Sequence, residues 1–168
     1  MDETRQQYTE RILGYVEGKE PLDVQAETAG KLARLIEGVP TATLRKRLAP
    51  EKWAVSVIIA HLADAEIVIG YRLRFVLGSP GASIVAYDQD KWVTSGHYEK
   101  RDPQESIELF RALRKANLAL LESLTPRQWK EFGMHSERGQ ESIEHMVRIY
   151  AGHDINHLRQ IEEILAHK

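Results

Sequence analysis

From Glu51 to Leu77 the apolar side chains return every three or four residues, at Val55, Ile58, Ile59, Leu62, Ile69, Leu73, Val76 and Leu77. That period puts them on one stripe of a single long helix, which spans roughly 40 Å at 1.5 Å per residue. A stripe of that length has to be covered, and only other helices of similar length cover it well. The stretch is no membrane span, because His61, Asp64 and Glu66 interrupt its apolar run.

The remainder of the chain supplies the partners. Tyr8, Ile12, Leu13 and Val16 share one side of a short helix predicted over Glu3 to Glu17, which Gly18 stops. Pro21 opens a second, over about Asp23 to Glu37, closed by "GVP". "DPQE" at Asp102 is a start signal, with Asp102 as cap, Pro103 at the first helical position and Glu105 able to reach back. That helix runs to about Ser123, and "TPRQ" at Thr125 starts a short turn. A last helix follows Gly139 and continues to the C-terminus. No stretch alternates as a strand should. The predicted fold is all-α: a four-helix bundle with a short N-terminal helix and one long connection, in a single domain over residues 1–168. The connection, Gly78 to Arg101, has no clear period and carries Tyr87, Trp92 and Tyr98. Connections this long are often functional, and this one is expected to cover the mouth of a site with Tyr87, Asp88 and Trp92.

Composition narrows the chemistry. The net charge of −2 gives no basic patch for nucleic acid and no acidic tail. The N-terminus lacks the apolar run of a signal peptide. There is no cysteine, which removes thiolate ligands and a cysteine nucleophile and is consistent with the cytoplasm. The expected partner is a small-molecule substrate, with no nucleic acid and no membrane, and a homodimer is left open.

Histidine carries the remaining signal. His153 and His157 lie four apart in "YAGHDINHLRQIEEIL", so they point only about 40° apart on a helix. They border the stripe of Ile143, Val147, Tyr150, Leu158, Ile161 and Leu165. His61 borders the stripe of the long helix in the same way. Three imidazoles meeting from two helices would hold one divalent cation and leave it an open position, as zinc, nickel, cobalt or iron(II) would accept. A histidine pair on a helix edge is also common surface decoration. His145 points elsewhere, and His97, His135 and His167 are given no role. A zincin is excluded because "HDINH" lacks the glutamate of H-E-x-x-H, and a di-iron bundle because paired Glu-x-x-His is missing. Asp154 falls inside the apolar stripe and needs a partner there. A ligating histidine would serve, and so would Arg72, Arg74 or Arg159. Asp64 and Glu66 are read as further carboxylates that support the ligands.

In this order and spacing, three segments resemble the DinB/YfiT-like family of candidate metalloenzymes. "KWAVSVIIAHLADAEIVIGYRLRFVL" (Lys52 to Leu77) is similar to the family's long helix, with tryptophan eight residues before the histidine. "AYDQDKW" (Ala86 to Trp92) is similar to the Tyr-Asp…Trp connection of the YfiT branch. "YAGHDINHLRQI" (Tyr150 to Ile161) looks like the closing helix. Two places differ from that branch: Asn156 precedes His157 where it often has His-His, and "HSE" at His135 stands where it has His-Pro-Glu. The resemblance implies a four-helix bundle binding a divalent metal cation, usually nickel or zinc, through His61, His153 and His157. It also implies transfer of a low-molecular-weight thiol to an electrophile. The alternatives are a metal-dependent hydrolase, with Asp64 as general base, and a non-catalytic metal-binding stress protein. Tyr150, one turn before His153, is the candidate for orienting substrate.

Overall fold

The computed structural model describes residues 3–167. Helix α1 (Arg5–Gly14) opens with Thr4, whose hydroxyl accepts from the Gln7 N–H while the Gln7 side chain returns to the Thr4 N–H. Helix α2 (Pro21–Ile36) starts at its proline, and a single turn, α3 (Thr41–Leu44), follows. The long helix, α4, runs Val55–Gly78. Strand β1 (Ser83–Ile84) and helix α5 (Gln89–Ser95) occupy the long connection. Helix α6 (Pro103–Glu122) is capped by Asp102, which accepts from the N–H groups of Gln104 and Glu105. Strands β2 (Phe132–His135) and β3 (Gly139–Ser142) form a hairpin that leads into α7 (Ile143–Ala166).

Helices α2, α4, α6 and α7 form the four-helix bundle, and α1 lies along α7. One apolar cluster joins Leu32, Ile36, Ile58, Ile59, Leu62, Phe110 and Ile161 at one end of the bundle. A second, with Ile12, Ile69, Leu73, Leu121, Ile143 and Met146, fills the other. No helix among the described residues is long and apolar enough to cross a membrane.

The expectation of no strands is corrected. Strand β1 pairs in parallel with β2, and β2 in antiparallel with β3. These strands are two to four residues long, too short to show an alternating pattern. A Cβ at Gly133 would come within 2.5 Å of Ile84 and 2.9 Å of Val76, so glycine lets β2 seat against β1 and α4. Gly152 does the same for α1: a Cβ there would lie 2.1 Å from the Ile12 carbonyl oxygen.

Between the apolar clusters lies a buried ionic group. Arg114 on α6 donates through Nη1 to Asp154 Oδ2 on α7 (2.7 Å) and to the Gln25 carbonyl on α2 (2.6 Å). Its Nη2 donates to Asp154 Oδ1 (3.1 Å) and to Glu66 Oε1 on α4 (2.8 Å). Thr28 on α2 donates to Asp154 Oδ2, and Asn117 on α6 donates to Glu66 Oε2. The partner of Asp154 is therefore neither a ligating histidine nor Arg72, Arg74 or Arg159. It is Arg114, which reaches it from the apolar side of α6 beside Phe110.

Removing one member of a buried ionic group leaves the others uncompensated, at a cost of about 3–5 kcal/mol. Arg114→Met, which keeps the bulk and strands Asp154 and Glu66, is expected to lower unfolding stability by about that much in urea. A loss under about 1 kcal/mol would show that the two carboxylates find other partners.

Candidate metal centre

His61 enters from α4 and His153 and His157 from α7, and one ring nitrogen of each lies within 4.8 Å of the others. His61 Nε2 and His153 Nε2 are 3.0 Å apart. The His153 and His157 rings meet edge to face at 77°, their centroids 4.5 Å apart, as neighbours one turn apart can. His61 and His157 are buried, His153 half-buried, so the set lies deeper than a helix edge suggests. Trp53, just before α4, covers two of the rings: it stacks on His157 at 6.3 Å and tilts over His61 at 5.0 Å.

Burial holds all three imidazoles neutral. Desolvation, with His157 nearby, puts His61 well below the ordinary histidine range. Desolvation and the two other rings do the same for His153. Desolvation brings His157 to about 4, although its bond to Gln160 opposes the shift. A divalent cation needs unprotonated nitrogens converging on one point, and these three residues meet that requirement. No carboxylate among the described residues belongs to the group.

The carboxylates expected to serve the site are engaged elsewhere. Asp64, the candidate base, accepts two bonds from Arg101 (2.7 and 3.1 Å) and one from Tyr98 (2.5 Å). Both its oxygens accept from groups of the long connection, so Asp64 anchors that segment to α4. Glu66 and Asp154 belong to the Arg114 group and not to the histidines.

His153 and Tyr150 line a cavity of about 500 Å³, within the size range of small-molecule sites. Tyr150 is buried, its ring 5.9 Å from His153, and burial pushes its hydroxyl pKa up, so it stays protonated. Tyr87 and Asp88 of the long connection line the same cavity. Trp92 does not; it packs on Tyr87 and borders a smaller hollow near Asp64. His135, given no role from sequence, is buried on β2 in the cavity wall. The only sequence signal for it was that "HSE" stands where the YfiT branch has His-Pro-Glu.

The sequence pattern of the DinB superfamily matches residues 26–161, and the chain belongs to that superfamily. A relative from Oceanobacillus iheyensis is 32% identical over 69% of this chain and 67% of its own. YfiT from Bacillus subtilis is 26% identical over 85% of this chain and 81% of its own. Both carry the name "putative metal-dependent hydrolase". A solved structure of YfiT, described as having "an unusual four-helix bundle topology", superposes with a TM-score of 0.80 at 26% identity, covering 86% of this chain and 83% of that one.

The depressed histidines set a pH dependence for the metal-free protein. Unfolded, each binds a proton below about pH 6.5, whereas folded His157 does so only near 4. The unfolded state therefore gains protons first. Stability is complete above about pH 6.5 and is lost as pH falls toward 4, by about 3 kcal/mol from His157 alone. Urea midpoints measured from pH 7.5 to 4.5 should fall along that window, and His157→Gln should flatten the slope. A wild-type midpoint constant from pH 7 to 5 would contradict the assignment.

Proposed function

We propose that the chain binds a divalent cation, zinc or nickel, through His61, His153 and His157, and that it transfers a low-molecular-weight thiol to an electrophilic small molecule. The observation that carries the reading is the convergence of three neutral imidazole nitrogens beside a cavity of substrate size. A cation held there supplies a Lewis acid that makes a thiol or water nucleophilic at neutral pH.

Two features favour a thiol over water as the nucleophile. The chain has no cysteine, so a reacting sulfur has to arrive from outside. Asp64 is bound to Arg101 and Tyr98, and among the described residues no carboxylate stands with the histidines to take a proton from water. A thiol, with an ordinary pKa near 8.5, needs a far smaller shift than water at about 15.7. The protein's own part is to bind and to exclude water. Trp53 shields two of the imidazoles, and Tyr150, protonated, presents a hydroxyl at the cavity wall to orient the substrate. Hydrolysis is the second reading, and the names of the relatives favour it.

Metal-loaded protein is expected to accelerate conjugation of chlorodinitrobenzene with at least one of a panel of low-molecular-weight thiols. The rate should fall to background with chelator, return on reloading, and be absent in His153→Ala. If the protein instead cleaves nitrophenyl esters in a metal-dependent way without thiol, the hydrolytic reading replaces this one. If neither reaction exceeds background, the protein is a metal-binding one without either activity.

A further inference from the structure

Arg72 on α4 is 5% exposed and lines the cavity beside His153. No carboxylate among the described residues lies within 4.0 Å of it. Its contacts are one bond from Nη2 to the Val85 carbonyl (3.0 Å) and the Tyr87 ring, 5.8 Å from the guanidinium carbon. Arg114, buried more deeply still, has two carboxylates. A guanidinium cannot shed its proton, and the N–H groups of Arg72 that the Val85 carbonyl does not take open on the cavity, where an anion would meet the charge.

A second donor stands in the same wall. His135 Nδ1 accepts from the N–H groups of Glu137 (3.2 Å) and Arg138 (3.4 Å), which leaves the ring proton on Nε2. That Nε2 is buried without a partner. Burial, with Arg138 and Arg72 nearby, holds the ring's pKa down to about 4, so it is a neutral N–H donor at pH 7. The carboxylates that line the cavity do not compensate Arg72. Glu3 is paired with Arg11, Glu137 with Arg5, and Asp88 with Lys91, while Asp90 is exposed. Glu141, close by and buried, is held by Arg138.

We propose that Arg72 and His135 form an anion subsite that takes a carboxylate group of the small-molecule substrate at the wall shared with His153. One fixed positive charge plus a neutral N–H matches a monoanion, and the planar guanidinium fork fits the two oxygens of a carboxylate. A phosphate dianion would leave a net negative charge buried. The inference deepens the proposed reaction by naming its substrate class, and it rests on that reading only for the reacting end of the substrate; the anion subsite itself needs no metal.

Metal-free protein provides the test, by calorimetric titration with benzoate and, separately, inorganic phosphate. Wild type should bind benzoate more tightly than phosphate. Arg72→Gln should weaken benzoate binding at least tenfold, and Arg72→Lys, which keeps the charge without the fork, should weaken it less. His135→Phe, outside the bundle core, should weaken it several-fold, and gives an independent reading if Arg72→Gln fails to fold. Benzoate affinity unchanged by His135→Phe or by a folded Arg72 variant overturns the proposal, and so does tighter binding of phosphate. Zinc titrations of the same variants should match wild type. Loss of zinc binding in wild type, with benzoate binding intact, would refute the metal reading and leave the subsite standing.

Discussion

The placement of the three imidazoles depends on the guanidinium of Arg114. It touches Asp154 of α7, Glu66 of α4 and the Gln25 carbonyl of α2, from α6. Apolar packing alone would tolerate small rotations of these helices about their axes, because dispersion is not directional. A buried charge with fixed partners does not. Asp154 adjoins His153 and precedes His157 by three residues, so fixing its azimuth fixes theirs. Glu66 follows His61 by five, so the same cation limits the rotation of α4. Buried ionic groups are weak sources of net stability but can specify register, and here the register brings nitrogens of two helices to one point.

That arrangement also decides the electrostatics of the centre. Asp64, Glu66 and Asp154 all lie within five residues of a histidine in sequence, yet each is bound to an arginine. Diverted in this way, they neither raise the histidine pKa values nor neutralise a cation held by the imidazoles. Three neutral ligands leave such a cation its full charge, which favours ionising a thiol or binding an anion. Had these carboxylates faced the rings, the same bundle would suit a closed structural site better.

The helices were readable because each repeats its apolar spacing over several turns, and their ends moved by only a few residues. His61, His153 and His157 were readable for the same reason, since helical geometry fixes how residues four apart face. What depended on contacts between distant segments was not. His135 becomes a buried wall residue only because β2 pairs with β1, some fifty residues earlier, and "GMHSERG" alone reads as a loop. Asp64 could be placed one turn from His61, but Arg101 and Tyr98 reach it from a connection with no period. That Asp154 needed a partner was clear from its stripe. Arg114 is not legible as that partner, because it lies on the inner face of α6, where a charged residue is not expected without a reason from the fold.

The division of labour between bundle and periphery follows from these contacts. The converging imidazole nitrogens come from α4 and α7, the two longest helices, which the Arg114 group ties together. The facing wall is drawn from α1, the long connection and the β2–β3 hairpin, through Tyr8, Tyr87 and His135. Arg72 joins the two, being rooted in α4 and bonded to the connection at Val85. Gly152 lets α1 approach α7 closely enough for Tyr8 and Ile12 to reach that wall. The peripheral segments therefore shape what enters the cavity, whereas the contacts that aim the imidazoles are those of the Arg114 group, made among α2, α4, α6 and α7.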